Sequence, residues 1–250
     1  MARLTLVRDV ASASAALDVA AAHALLERVS RGEETSTLRL HRPRPTVAFG
    51  RLDALAPGFG AAAGAARAHG FEPVLRAPGG RAAAYHDDSV VLDLAVADPD
   101  PVSGLQDRFA DLARLIAGAL RTLGVDARVG EVPGEFCPGA HSVGAGGRTK
   151  LVGTAQRIVR GGFLFAASVV VRDPEPVRAV LVDVYDRLGL EWDPHTAGAV
   201  ADTVPEVTVA AVEEALVTAF AARHQLVPGV LDAATLAAAR GRLDRHVLTA

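Results

Sequence analysis

Gly134–Gln156, GEFCPGAHSVGAGGRTKLVGTAQ, is the stretch on which the reading of this chain turns. At its centre, Gly144-Ala145-Gly146-Gly147 has the composition of a hairpin turn, and Thr149–Val159 is the strand that such a turn leads into. A further strand is expected at Phe163–Val171, after the Gly161-Gly162 turn. The stretch also contains Cys137 and Lys150, the only cysteine and the only lysine of the 250 residues. In such a hairpin the two lie on adjacent strands or at strand ends, so their side chains can converge.

The other 25 of the 26 basic side chains are arginine, so a plain positive charge is supplied by arginine throughout this chain. Lysine is a compact ammonium able to lose its proton when desolvated, whereas guanidinium stays protonated and planar. Lys150 is therefore a candidate for chemistry, with a surface lysine as the alternative. Cys137 is a packing residue or a reactive thiol, since one cysteine excludes an internal disulfide.

Half of the residues are hydrophobic, yet no apolar run reaches the roughly 20 residues of a membrane span. MARLTLVRDV has none of the features of a signal peptide, and a cytoplasmic protein without a membrane partner is expected. A net charge of −3 gives no overall attraction to nucleic acid, and none is expected as a partner. Arg39, Arg42, Arg44 and Arg51 form a local basic cluster that either meets an acidic partner or is solvated. No metal site is legible: the eight histidines are scattered and there is no Gly-x-x-x-x-Gly-Lys-(Ser/Thr) phosphate loop.

Hydrophobic spacing predicts strands over 3–8, 36–41, 46–49, 89–96 and 126–129. It predicts helices over Ala11–Arg31, an alanine-rich stretch ending near His69-Gly70, Gln106–Leu123, Pro176–Leu188, Val207–His224 and Ala233–Arg245. The expectation is an α+β domain with a mixed, mostly antiparallel sheet flanked by helices. One domain is expected over 1–225, with 226–250 forming a C-terminal helical extension. Arg76–Asp87, RAPGGRAAAYHD, is a second informative stretch, because a glycine pair allows either an ordinary turn or close approach of a ligand to the backbone.

Taken together, RAPGGRAAAYHD and the Cys137 stretch resemble the lipoate-protein ligase A and octanoyltransferase B superfamily, which also contains biotin protein ligase. In the first motif Arg76, Gly79, Gly80 and Tyr85-His86-Asp87 match, while Ala77 stands for a second arginine and Arg81 for a third glycine. The second motif, Lys-(Ile/Leu/Val)-x-Gly-(Ser/Thr/Ile)-(Ala/Ser)-Gln-Arg, is met in full by Lys150–Arg157, including Gly153, Thr154, Ala155 and Gln156. Phe-Cys-Pro-Gly ahead of it resembles the cysteine-dependent amidotransferase branch.

The resemblance implies the biotin/lipoate ligase catalytic fold and an acyltransferase that passes an octanoyl or lipoyl group through a cysteine thioester to a lysine. It implies Cys137 as nucleophile, with Lys150 stabilising the thiolate or acting as base. His86 is either a second base or a structural histidine. Arg76, Gly79, Gly80, Arg81 and Tyr85 line the substrate site, with Gly153, Thr154, Ala155 and Gln156 as the opposite wall. Cys137 and Lys150 are expected to face one elongated pocket bordered by Gly79, Gly80 and Gly153. The implied partners are glycine-cleavage H protein, E2 lipoyl domains or octanoyl acyl-carrier protein, with no cofactor. An ATP- and magnesium-dependent lipoate ligase is the alternative, disfavoured by the expected lack of a ligase-type C-terminal domain; a non-catalytic carrier-domain binder is a third reading.

Overall fold

The structure, a computed structural model, describes residues 1–9 and 12–248. In chain order it contains β1 (Ala2–Asp9), α1 (Ala15–Ser30), β2 (Thr37–His41), β3 (Thr46–Phe49), α2 (Arg51–Ala54), α3 (Phe59–Ala68), β4 (Glu72–Leu75), β5 (Ala83–Tyr85) and β6 (Ser89–Ala97). It continues with α4 (Leu105–Thr122), β7 (Ala127–Val129), β8 (Val143–Ala145), β9 (Thr149–Val159), β10 (Gly162–Val170), α5 (Glu175–Leu188), α6 (Val209–Ala221), β11 (His224–Gly229) and α7 (Ala233–Arg240).

Eight strands form one mixed sheet in the order β11-β1-β2-β6-β10-β9-β8-β7. Only β11-β1 and β1-β2 are parallel; the other neighbours are antiparallel. A smaller sheet, β4-β3-β5, packs with α3 and α5 in a core of its own. The large sheet is covered on both faces. Leu112, Leu115, Ile116 and Leu120 of α4 pack with Val212 and Leu216 of α6 over Leu92, Phe165 and Val169. On the other face, Ala22, Leu25, Leu26 and Val29 of α1 meet Ala95 and Leu164. Burial on both faces explains the nearly unbroken apolar run of β6, where alternation is lost. Among the described residues no helix is long and apolar enough to cross a membrane.

Several boundaries differ from expectation for identifiable reasons. α1 begins at Ala15 because the Ser14 side chain accepts the Leu17 N–H and caps it; the expected start at Ala11 lies outside the described residues. The helix expected over Val207–His224 stops at Ala221, and β11 follows, running parallel to β1 from Ala2↔His224 to Val7↔Gly229. Pro228 is compatible with this because β11 is an edge strand, where a missing N–H breaks no ladder bond. Residues 226–250 are thus not a purely helical extension. β11 straddles the expected boundary, and α7 lies on α1 through Ala239 against Ala20, Ala21 and Ala24. His246 ties the terminus to β4, its Nδ1 2.6 Å from Leu75 O and its carbonyl accepting the Leu75 N–H.

Candidate active site

Cys137 lies in the loop between β7 and β8, not on a strand, and its backbone φ is +43°, a left-handed conformation unusual for a residue with a side chain. Such strain costs about 1–3 kcal/mol and persists only where surrounding contacts over-determine it. Here they do. The Cys137 N–H donates to Tyr185 Oη (2.7 Å), and that hydroxyl donates to Ala82 O (2.9 Å). Burial, followed by the neighbouring Cys137, pushes the Tyr185 phenol well up, so it remains a hydroxyl able to donate.

From the other side, Lys150 of β9 reaches under the loop. Its Nζ is 2.9 Å from Phe136 O, 2.9 Å from Cys137 O and 2.9 Å from Glu135 Oε2. Both charged side chains are buried, at 2% and 0% exposure. The Glu135 carboxylate closes the loop on itself, since Oε1 accepts from Ser142 Oγ (2.9 Å) and from the Gly139 N–H (3.1 Å). Sequence reasoning passed over Glu135, although an acid two positions before a lone cysteine is the partner that a buried lysine needs.

Different groups reach the sulfur. The Arg81 N–H lies 3.2 Å from Sγ and Arg76 Nη2 3.7 Å away, while the same Nη2 donates to Arg81 O at 2.9 Å. Gly80 makes this convergence possible: its φ is +99°, and a Cβ there would stand 2.6 Å from Arg76 Nη2 and 3.0 Å from Sγ. Gly79, by contrast, faces open space. Arg81 is held by the fully buried Asp53, 3.3 Å from Nη1, and Asp53 in turn accepts the Gly50 N–H.

Arg76, Ala77 and Pro78 lead from the sulfur to a pocket of about 660 Å³, counting its open mouth. Much of its wall is small and apolar, with Ala22, Ala48, Gly153, Ala155 and Ala166. Gly153 and Ala155 alternate with Thr154 and Gln156 on β9, which places the latter two on the opposite face. Accordingly, Thr154 Oγ1 donates to His141 O (2.9 Å) and Gln156 Oε1 accepts from Arg108 (3.1 Å). Lys150 borders a smaller cavity with Phe136, Gly153 and Ser168. The expected single pocket is therefore two spaces that share Gly153 and Ser168, and none of Cys137, Gly79 and Gly80 lines either.

Tyr85 lines the main pocket, and burial, with Asp93 nearby, pushes its phenol up. His86 is fully engaged by backbone: Nδ1 accepts the Asp88 N–H (3.1 Å) and Nε2 is 2.8 Å from Asp173 O. That geometry makes it a structural histidine. The far wall of the pocket carries a second polar cluster that the sequence reading missed. Asp93 pairs across β6 and β2 with Arg39, which also contacts Asp9 (3.2 Å) and Asp18 (2.8 Å). Burial pushes Asp93 up to about 7 despite Arg39, and burial with Arg39 pushes His41 well down. The available signal was an acid inside the apolar run VVLDLAV. Among the described residues no group of three or more His, Cys, Asp and Glu side chains is placed to hold a metal ion.

Residues 14–221 match the family model described as lipoyl protein ligase A/B catalytic domain. The octanoyl-GcvH:protein N-octanoyltransferase of Exiguobacterium sibiricum is 32% identical over 188 residues, 73% of this chain and 66% of the relative, so the match spans just under two thirds of that protein. Octanoyltransferase LipM of Kyrpidia tusciae is 31% identical over 244 residues, 88% of each chain. Among solved structures, a lipoate-protein ligase A bound with ATP superposes with a TM-score of 0.74 at 19% identity, covering 98% of this chain and 95% of the other. A bipartite lipoate protein ligase and its E2 lipoyl domain from Thermoplasma acidophilum gives a chain with TM-score 0.71, 19% identity and coverage of 98% and 93%.

Proposed function

This chain belongs to the lipoyl protein ligase A/B catalytic-domain family, and within it we propose that it transfers an octanoyl or lipoyl group through a thioester on Cys137 to a lysine of a lipoyl-carrier domain. The observation that carries this reading is the presentation of the single cysteine: its sulfur meets a backbone N–H and a guanidinium, and that arginine also lines a mostly apolar pocket.

In the first half-reaction the Cys137 thiolate attacks the donor's acyl carbonyl, a C–S bond forms, and the bond to the donor's leaving group breaks as that group takes up a proton. In the second, the amine of the acceptor lysine attacks the thioester, the C–N bond forms, an amine proton is released and the thiolate returns. The Arg81 N–H, adjacent to the sulfur, is a donor for the oxyanion that develops in both steps. The apolar wall of Ala48, Gly153, Ala155 and Ala166 receives the hydrocarbon chain. The donor is proposed to be glycine-cleavage H protein or an octanoyl acyl-carrier protein, and the acceptor an E2 lipoyl domain. The Exiguobacterium relative takes its name from octanoyl-GcvH, and the archaeal ligase forms a lipoylation system with its E2 lipoyl domain.

Passage through the cysteine needs neither ATP nor magnesium, because the acyl group arrives already attached to a carrier. The ligase reading is favoured by one observation, the likeness in fold to an ATP-bound ligase. Intact-protein mass spectrometry after incubation with octanoyl-H protein tests the choice. An octanoyl adduct on wild type that is absent from Cys137→Ser, with transfer independent of ATP, is the expected result. Lipoylation from free acid that requires ATP and survives Cys137→Ser replaces the transferase with the ligase.

A further inference from the structure

We propose that the main pocket selects the tail of the acyl group: Asp93, His41 and Tyr85 form a polar end that takes a chain carrying a hydrogen-bonding group, a hydroxyl being the simplest, in preference to a plain hydrocarbon terminus. This rests on the acyl-transfer reading of Cys137 and concerns which acyl chain the same site takes.

The floor of the pocket is one face of the large sheet. Register across β2, β6, β10 and β9 sets Arg39, Asp93, Ala166 and Ala155 in one row, with His41 two residues on from Arg39 and Gly153 two residues before Ala155 on the same face. All of these except Arg39 line the pocket. The β9 end lies toward the nucleophile loop: a Cβ on Gly153 would stand 3.7 Å from Lys150 Cε, and Lys150 Nζ is 2.9 Å from Cys137 O. Two strands away, roughly 10 Å at the usual strand spacing, β6 presents Asp93, and β2 beyond it presents His41. A chain attached at the sulfur and running over Ala155 and Ala166 therefore meets the polar residues last.

Those residues have hydrogen-bonding capacity to spare. Arg39 directs its guanidinium to Asp18 (2.8 Å) and Asp9 (3.2 Å), leaving Asp93 a contact of 3.6 Å, longer than a hydrogen bond. His41 Nδ1 is buried without a partner among the described residues, and Asp93 Oδ2, 3.9 Å away, is beyond its reach. The Tyr85 hydroxyl, on β5, has Asp93 nearby but no hydrogen bond among the described residues. His41 and Asp93 are 3% and 4% exposed. A methyl terminus seated against them leaves buried polar groups unpaired, whereas a hydroxyl donates to one and accepts from another. Burial pushes Asp93 up to about 7, so near neutral pH its carboxyl can donate as well as accept.

Octanoyl and 8-hydroxyoctanoyl thioesters of N-acetylcysteamine differ by one oxygen. Offered together at equal concentration, they compete for Cys137, each releasing N-acetylcysteamine as its acyl group joins the sulfur, and intact-protein mass spectrometry reads the two adducts. The hydroxylated chain is expected to load about tenfold faster on wild type. Asp93→Asn, which keeps hydrogen-bonding atoms, is expected to retain that order, and Asp93→Leu, which makes the end apolar, to reverse it. Equal loading on wild type overturns the proposal, as does a preference that survives Asp93→Leu. If neither thioester loads a cysteine that still reacts with iodoacetamide, the transferase reading fails instead. Calorimetric titration of wild type with octanoate and 8-hydroxyoctanoate then decides the polar end by itself: about tenfold tighter binding of the hydroxy acid supports it, and equal affinities overturn it.

Discussion

Lys150 and Arg39 are both buried cations, 3% and 1% exposed, yet the acceptors around them do not match. Lys150 faces one carboxylate and two peptide carbonyls, so one positive charge meets one negative charge. Arg39 faces the carboxylates of Asp9, Asp18 and Asp93, which leaves two surplus negative charges if all three ionise. Burial makes that surplus costly, and it is relieved by proton uptake: Asp9 and Asp93 are both pushed up, Asp93 to about 7. The two clusters border neighbouring spaces that share Gly153 and Ser168, and the one whose charges do not match is the one that takes up protons.

The comparison breaks most visibly if the matched pair is split. Glu135→Ala leaves a buried ammonium without its counter-charge and is expected to cost about 3–5 kcal/mol, read as a shift of the urea midpoint at constant slope. A loss of less than about 1 kcal/mol means that Lys150 is not dependent on Glu135.

Asp93→Asn sharpens the other half. An acid whose folded value is raised binds its proton more tightly in the native state. Its contribution to stability is therefore full below 3.8 and lost as pH rises toward about 7. Thermal melts of wild type should fall across that window, by several kcal/mol at most, and those of Asp93→Asn should fall less. Parallel profiles for the two proteins remove Asp93 as the titrating group.

Lys150→Arg tests the compactness of the matched site. A planar fork cannot place its nitrogens on the same three oxygens, and the resulting displacement of the loop is expected to lower transfer roughly 100-fold with an unchanged far-UV spectrum. Near-normal turnover excludes a positioning role. Gly80→Ala is expected to cost about 1–3 kcal/mol, because it meets the left-handed conformation as well as Arg76 Nη2 and Sγ.

The smallest effect is expected at the C-terminal segment, where two imidazoles, His23 and His246, stand 3.1 Å apart in place of an ion pair. Burial and then the neighbouring His246 push His23 down to about 4. This stability is present above 6.5 and lost as pH falls through about 4, partly offset by Glu27 at 3.3 Å. Hydrogen exchange in α7 and β11 that rises on acidification before the rest of the protein opens is the expected signature; uniform opening counts against it.

Strong local signals were legible in the chain. Amphipathic α4, the β8-β9 hairpin and β10 follow directly from the spacing of apolar residues and glycine turns. β11 was not, because HQLVPG is short, contains a proline and becomes a strand only beside the unpaired edge of β1. Within Gly153–Gln156, the motif named four residues, but strand alternation turns Thr154 and Gln156 away from the pocket that Gly153 and Ala155 line.

The sequence by itself determined the family, the strand-and-helix order over most of the chain and the importance of its unique Cys137 and Lys150, since composition and motif spacing are local properties. Only the tertiary structure decided what those residues touch. Lys150 meets Glu135 and backbone, the sulfur meets Arg76 and the Arg81 amide from a loop 56 residues earlier, and Asp93 meets Arg39 across two strands. Burial, charge balance and the direction of a side chain depend on segments remote in sequence, and those contacts convert a list of reactive residues into a site with assigned tasks.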